Sequence, residues 1–477
     1  MTALGGTPEL VVRDDRGRAL VLESIPLGRG GQGRVHRVRN SRLAVKLIDG
    51  VRWRPDLADD LMARLRSINR LPLDGLPLSR PVAHLVEPHV GYVMELLESV
   101  VPLGELASAP TGELSGWYLD SGGLARRLRV LTKLAWVLST LHGRGIVYGD
   151  LSPTNVVVSA RPEQDHLWLI DTDNLSFQAD AARHIAGTPG YGAPELASAK
   201  ASLSTLSDAF AFAVLAFKTL VGLHPFRGDQ FFDEDDDDYT RLEQLNESAA
   251  AFRLPWVDHS SETSNRLSYG IPRNWVLDAA LRRLCRETFE EGLRSPRNRP
   301  GMSAWYAALS RAADATHACP NCQHTFYVGN RACPWCGIPA PSVLVGRVFA
   351  QLTRPDFSAD DDRYEPALVD TRDLVVVEAG GWTPILSRVG HLAARGDPFE
   401  PVANVGWDGG DRMSVHNPGP RSFHLVAQEG RNRRRLMAGE RVDVLVRPGS
   451  TTWLLHLTDQ LTAPHRLAVF DVHAWKH

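Results

Sequence analysis

An α+β chain of more than one domain is what the 477 residues predict, and three observations carry that prediction. Residues 19–48 alternate short strand-like runs with glycine turns. From Gly123 to His142, Leu124, Leu128, Leu131, Leu134 and Leu138 recur at helical spacing, and a second apolar helix pattern opens at Ser207-Asp208. After Val343, runs such as LVVVEA, RSFHLVA, VDVLVRP, TWLLHLT and RLAVFDV alternate with Gly, Pro, Asn and Asp turns, which predicts an all-β, sandwich-like end. A chain of this length can bury two or three separate cores.

Composition narrows the function classes. A formal net charge of -3 gives no global attraction to nucleic acid or to an anionic membrane, so neither is expected as a partner. The most apolar stretch, Phe210 to Leu223, is short and interrupted by Lys218, and no basic-then-apolar leader precedes it, so a cytoplasmic protein is expected. Four of the five cysteines fall in two CxxC pairs, which points to a metal rather than to disulfides.

Taken in order, the first turn reads LGRGGQGRV, with Gly28, Gly30 and Gly33 in GxGxxG register, Gly31 among them and Val35 two residues beyond. Glycines there let backbone N–H groups approach phosphates, and the valine can cover an adenine ring; a plain glycine-rich hairpin has the same spelling. Ala44-Val45-Lys46 follows as a strand carrying a lysine for the phosphates. RPDLADDLMARLRSI predicts a helix with Leu57, Leu61, Leu65 and Ile68 on its apolar face, and Asp60 lies nearer the edge of that face than Asp59. The loop and the lysine strand resemble the nucleotide-binding part of a protein kinase, in which a carboxylate of the next helix holds the lysine; no glutamate occurs between Lys46 and Leu85, so the resemblance implies Asp60 as the partner of Lys46, with solvated aspartates near a helix start as the other reading. HVGYVMELL, His89 to Leu97, is a strand running into a hinge.

The stretch from Tyr148 to Glu195 sets Asp150, Asn155 and Asp171 at the spacing phosphoryl transfer needs for one proton-accepting carboxylate and two metal ligands. With YGD, Asn155, DTD and APE where the family carries HRD, Asn, DFG and APE, the chain resembles a protein kinase. The resemblance implies a bilobal kinase fold, with one lobe over residues 8–97 and the other over 98–312, and ATP with Mg²⁺ or Mn²⁺ as cofactors. Asp150 is then the residue that accepts or orients the substrate hydroxyl, Asn155 and Asp171 the metal ligands, and Lys46 the phosphate-pairing lysine. Gly28, Gly30, Gly31, Gly33, Val35 and Ala44 would surround the nucleotide, with Met94 as gatekeeper and Glu95 to Leu97, Leu96 among them, offering backbone groups to adenine. Glu195, Asp208 and Arg299 are expected in structural roles, the first and last as an ion pair.

Departures from the family pattern carry expectations of their own. Gly149 removes the arginine that usually clamps a phosphorylated activation loop, so loop phosphorylation is not expected to be required. Ser152 stands where Ser/Thr kinases usually place a phosphate-contacting lysine, and Thr172-Asp173 replaces Phe-Gly. GDLxPxN is similar to the loop of small-molecule phosphotransferases such as aminoglycoside and choline kinases, but APE, the helix at Asp208 and Arg299 favour a protein substrate. The combined motifs resemble a bacterial branch encoded beside a von Willebrand A-domain protein and a metal-dependent phosphatase in tellurite-linked clusters, over about residues 19–312. A Ser/Thr protein kinase is expected, with a pseudokinase scaffold as the second reading. The acidic run Asp233 to Asp238 is either a solvated loop or a selector of basic substrate sequences.

Cys319, Cys322, Cys333 and Cys336 pair two CxxC motifs across a ten-residue spacer, which predicts a structural Zn²⁺ ribbon over residues 316–338 with a hairpin of Phe326, Tyr327 and Val328 turning at Gly329-Asn330. Residues 339–345 read as a stiff linker and 346–477 as the β domain. There, Ser387-Arg388 and His391 are faintly similar to the phosphothreonine-binding forkhead-associated pattern, and Arg431 to Arg435 form a basic turn.

Overall fold

The computed structural model describes residues 10–30, 33–48, 55–110, 112–181, 188–197, 201–232, 239–353, 366–393, 396–427, 432–446 and 452–473. Gly31, Arg431 and the acidic run Asp233 to Asp238 lie outside the described residues. The chain divides into two compact units: Met1–Trp117 with Val130–Arg273 and Ala279–Tyr306, and Tyr118–Arg129 with Asn274–Asp278 and Ala307–His477.

Strands β1 (Gly28–Gly30), β2 (Gly33–Arg37), β3 (Leu43–Leu47), β4 (Pro81–His84) and β5 (Gly91–Glu95) form an antiparallel sheet in the first unit, in the order β1-β2-β3-β5-β4. Strand alternation sends Val45 and Leu47 into an apolar cluster with Val12, Leu22, Val38, Leu85 and Val93, and leaves Ala44 and Lys46 on the opposite face. Gly33 is demanded by this sheet: a Cβ there would lie 2.0 Å from the Leu47 carbonyl oxygen. Nothing crowds Gly28 within 4 Å, so that position is open enough for backbone to meet a ligand.

Helix α1 (Pro55–Asn69) buries Leu65 and Ile68, as its periodicity predicts. Asp60 sits roughly 100° around the helix from that buried face, at 3.6 residues per turn, and is exposed. Helices α2 (Gly123–Gly143) and α3 (Thr205–Val221) follow the two later patterns. Helix α3 is apolar on nearly every face, and from Ser207 to Val221 all but Lys218 is buried. Its start is fixed by a reciprocal cap between Ser204 and Ser207, and its end by Gly222 at φ 83°.

In the second unit, a six-stranded antiparallel sheet packs with a four-stranded one around Leu344, Val377, Trp407, Met413, Leu425 and Phe470. This is the sandwich the alternating runs predict. The cysteine segment differs from its expected hairpin. Thr325–Tyr327 pairs with Thr316–Ala318, upstream of the first cysteine pair, and Ala332 bridges Pro339 beyond the second. Each CxxC thus sits in its own β-turn region, because the spacer strand finds its backbone partners outside the spacer. Tyr327 Oη donates to the Val276 carbonyl at 2.8 Å, and Thr325 Oγ1 caps the amide of Ala125 at 2.9 Å, so this segment is anchored to two other stretches of its unit.

Candidate active site

The register of the sheet puts Val35, Lys46 and Tyr92 side by side on β2, β3 and β5. Lys46 is buried, with its Nζ 5.6 Å from the centre of the Tyr92 ring. It donates to Asp171 Oδ1 at 2.5 Å and to Asp173 Oδ2 at 2.9 Å. Burial alone would pull the Lys46 pKa down, but the carboxylates of Asp173 and Asp171 outweigh it and the net shift is upward. The Asp171 carboxyl moves up as well, first through burial, with Asp173 adding to the shift and Lys46 opposing it.

Asp60, the expected partner of Lys46, is not at the site: it is exposed on α1, and the lysine takes Asp171 and Asp173 instead. Both sit at the start of one short turn. Asp171 has φ 56°, ψ 58°, and residues Thr172–Asn174 form a single 3₁₀ turn behind it. Thr172 is fully buried where the family pattern has phenylalanine, and its Oγ1 donates to the Ser79 carbonyl at 3.2 Å. The Ser79 amide in turn donates to the Leu169 carbonyl at 2.8 Å, two residues ahead of Asp171.

Asp208, near the N-terminus of α3, holds the loop that carries Asp150. Its Oδ2 accepts from the Tyr148 amide at 2.7 Å, its Oδ1 from the Gly149 amide at 2.9 Å, and His142 Nε2 lies 3.0 Å from Oδ2. Tyr148 is buried, and its hydroxyl donates to the Ile170 carbonyl and lies 3.4 Å from that of Asn155. The tyrosine therefore ties the Asp150 loop to the strand end that presents Asp171. Its pKa rises well above the ordinary value, first through burial and then through the surrounding aspartates. Asn155 Nδ2 donates to the Asp150 carbonyl at 2.9 Å and to its Oδ2 at 3.1 Å. Thr188 donates to Asp150 Oδ1 from its hydroxyl at 3.1 Å and from its amide at 3.3 Å. Ser152 is buried with its Oγ 3.0 Å from Thr154 Oγ1, and does not extend into the cleft.

Around this core, Met94 Sδ receives Ser79 Oγ at 3.5 Å, and Ala44 is buried between Arg37 and Met94 in the sheet register. Glu95 is exposed, and the Leu96 amide is already taken by the Arg42 carbonyl at 2.9 Å. Glu195 and Arg299 form a bidentate pair at 2.7 and 2.8 Å, with the guanidinium also on the Gly292 carbonyl and stacked over Phe210.

The oxygen-only donor set of Asp171 and Asn155 suits a hard divalent cation such as Mg²⁺. Asp173 Oδ1 adds a buried acceptor with no hydrogen-bond partner among the described residues. The four thiols of Cys319, Cys322, Cys333 and Cys336 lie within 4.8 Å of one another, with two Sγ pairs at 3.6 Å. A tetrahedral zinc with Zn–S near 2.3 Å requires S···S separations of about 3.8 Å, so the thiols fit that ion. In the β domain, Ser387 Oγ lies 3.2 Å from His391 Nδ1, while Arg388 is consumed by a bidentate pair with Asp314 at 2.6 and 2.7 Å.

Two contributors escaped the sequence reading. Asp173 carried a signal, an acid two residues after Asp171 in a chain whose first helix has no glutamate; Tyr148 carried none beyond its position.

Residues 109–289 match the family model for the protein kinase domain. Curated relatives include the serine/threonine-protein kinase pkn2 of Myxococcus xanthus, 32% identical over 238 residues, which cover 46% of this chain and 26% of that protein. The Myxococcus serine/threonine-protein kinase Pkn1 is 29% identical over 211 residues, covering 42% and 28%. A probable cAMP-dependent protein kinase catalytic subunit of Encephalitozoon cuniculi is 28% identical over 208 residues, covering 42% and 60%. The chain thus spans only about a quarter of the length of these two Myxococcus relatives.

Proposed function

We propose, from the protein kinase domain that the chain carries, that it is an ATP-dependent protein kinase transferring the γ-phosphate to serine or threonine of a protein partner. The observation that carries this reading is the convergence of Lys46, Asp150, Asn155 and Asp171 in one cleft: lysine on Asp171, asparagine on Asp150, and both loops tied together through Tyr148. Asp150, held by Asn155 and Thr188, is the group placed to accept the substrate hydroxyl hydrogen bond and align that oxygen for in-line attack. Lys46 binds the nucleotide phosphates. Asp171 and Asn155 would hold Mg²⁺ or Mn²⁺, which when bound neutralises charge on those phosphates. Gly28, Gly30, Gly31, Gly33 and Val35 cover the nucleotide, with Met94, Glu95 and Leu96 at the adenine side.

The ion pair of Glu195 and Arg299 supports a floor for a peptide substrate, which favours protein over small-molecule acceptors. The motif resemblance to the tellurite-linked branch adds a cytoplasmic setting and, as candidate partners, a von Willebrand A-domain protein and a metal-dependent phosphatase. We take the kinase to occupy residues 8–312, and the ribbon over 316–338, loaded with zinc, to be structural. The test is transfer of radiolabelled phosphate from Mg²⁺-ATP to a generic protein acceptor, wild type against Asp171→Asn. Loss of label in the variant is expected, and equal labelling removes the enzymatic reading.

A further inference from the structure

We propose that Asp173 is the positioning carboxylate of Lys46, supplying from the Asp171 turn itself the partner that no described side chain of the first helix provides. The inference rests on the kinase reading of the site. Among the described residues, the carboxylates that touch the Lys46 ammonium are those of Asp171 and Asp173. Helix α1 packs against the 3₁₀ turn, yet Asp59 and Asp60 on that helix are both exposed. Among the described side chains of α1, none brings a carboxylate to Lys46.

The two aspartates are not equivalent. Asp171 has a side chain 30% exposed and faces the cleft, while that of Asp173 is 7% exposed and that of Lys46 8%. Two carboxylates around one ammonium leave a site with room for a further cation. Asp171, the more accessible, is the one free to turn from lysine to metal. Asp173, locked behind buried Thr172 and its bond to the Ser79 carbonyl, keeps the lysine when that happens. Lys46 thus retains a buried counter-ion through the handover and stays extended toward the phosphates. Because both carboxylates stand on one turn, the lysine pair forms whenever that turn is in place.

The experiment uses the full zinc-loaded chain and measures Mg²⁺-ATP turnover together with ATP affinity by isothermal titration. Asp173→Asn is expected to raise KM for ATP by about tenfold or more, with a matching loss of ATP affinity in the titration, because Lys46 loses its buried counter-ion. Asp173→Glu, which keeps the carboxylate, recovers most of that loss. Asp60→Asn changes neither value. In ATP affinity, Lys46→Ala with Asp173→Asn is no worse than Lys46→Ala alone, because the two act as a unit. The proposal is overturned by an Asp173→Asn enzyme with wild-type KM and ATP affinity, by an Asp173→Glu as impaired as Asp173→Asn, or by additive losses in the double variant. Should the wild type turn nothing over, the kinase reading fails while the affinity cycle still decides the pair: coupled losses uphold it, and additive losses or absent ATP binding refute it.

Discussion

Gly149 stands where the kinase pattern carries arginine, and its backbone explains the exchange. Its φ is 87°, and a Cβ there would lie 2.8 Å from Leu203 Cδ1 and 3.4 Å from Asn174 Cβ. A left-handed conformation costs an L-residue roughly 1–2 kcal/mol, and the clash with Leu203 adds to it. Restoring the arginine, as Gly149→Arg, is therefore expected to lower stability by about 2 kcal/mol, read as a shift in the denaturant midpoint; an unchanged midpoint contradicts the assigned backbone. Gly33 makes the complementary point. Its place in a GxGxxG spelling was legible in the chain, but the contact that requires it is a neighbouring strand, which no local spelling contains.

At the scale of elements, the pair between Glu195 and Arg299 joins the end of the activation segment to a loop more than a hundred residues later. The Arg299 side chain is fully buried, so a neutral partner would leave its charge uncompensated in a low-dielectric setting. Glu195→Gln is expected to destabilise the first unit by about 3 kcal/mol, in the range for breaking a buried pair. A urea midpoint equal to wild type contradicts this. The helices α1 and α2 were readable from a 3.6-residue apolar period, and α3 from an apolar run too long for a strand, both of which the chain carries by itself. The partner of Lys46 was not, because whether Asp60 points into the cleft depends on how the whole helix is rotated against the sheet, and its own apolar face turns it outward. The cysteine hairpins failed for a related reason: spacing identifies the thiols but not which strand will complete the backbone bonds of Thr325–Tyr327.

At the scale of the molecule, each unit holds a half-buried histidine whose pKa is lowered. Burial pushes His224 in the first unit down to about 4, against a weaker opposing pull from the Gly190 carbonyl. Burial, followed by the neighbouring His465 ring, pushes His456 in the second unit down to about 4. An unfolded histidine titrates near pH 6.5, so between about pH 6.5 and 4 the unfolded chain binds more protons than the folded one, and stability falls as the pH drops through that window. Unfolding midpoints at pH 7 and pH 5 are expected to differ, with His224→Gln flattening the slope of the first unit and His456→Gln that of the second. Midpoints independent of pH across this range contradict the assignment.

By itself the sequence determined the α+β architecture, the all-β end and the four thiols, and it singled out Asp150, Asn155, Asp171 and Lys46 as the candidate site. These are properties of local period and of chemistry-bearing residues at short spacing, which the chain carries whatever its neighbours do. Tertiary structure decided which carboxylate holds Lys46, why position 149 is glycine, what Tyr148 bonds and which strands pair around the cysteines. Each of those depends on the distance between segments remote in the chain, and such distances are set by packing rather than by spacing.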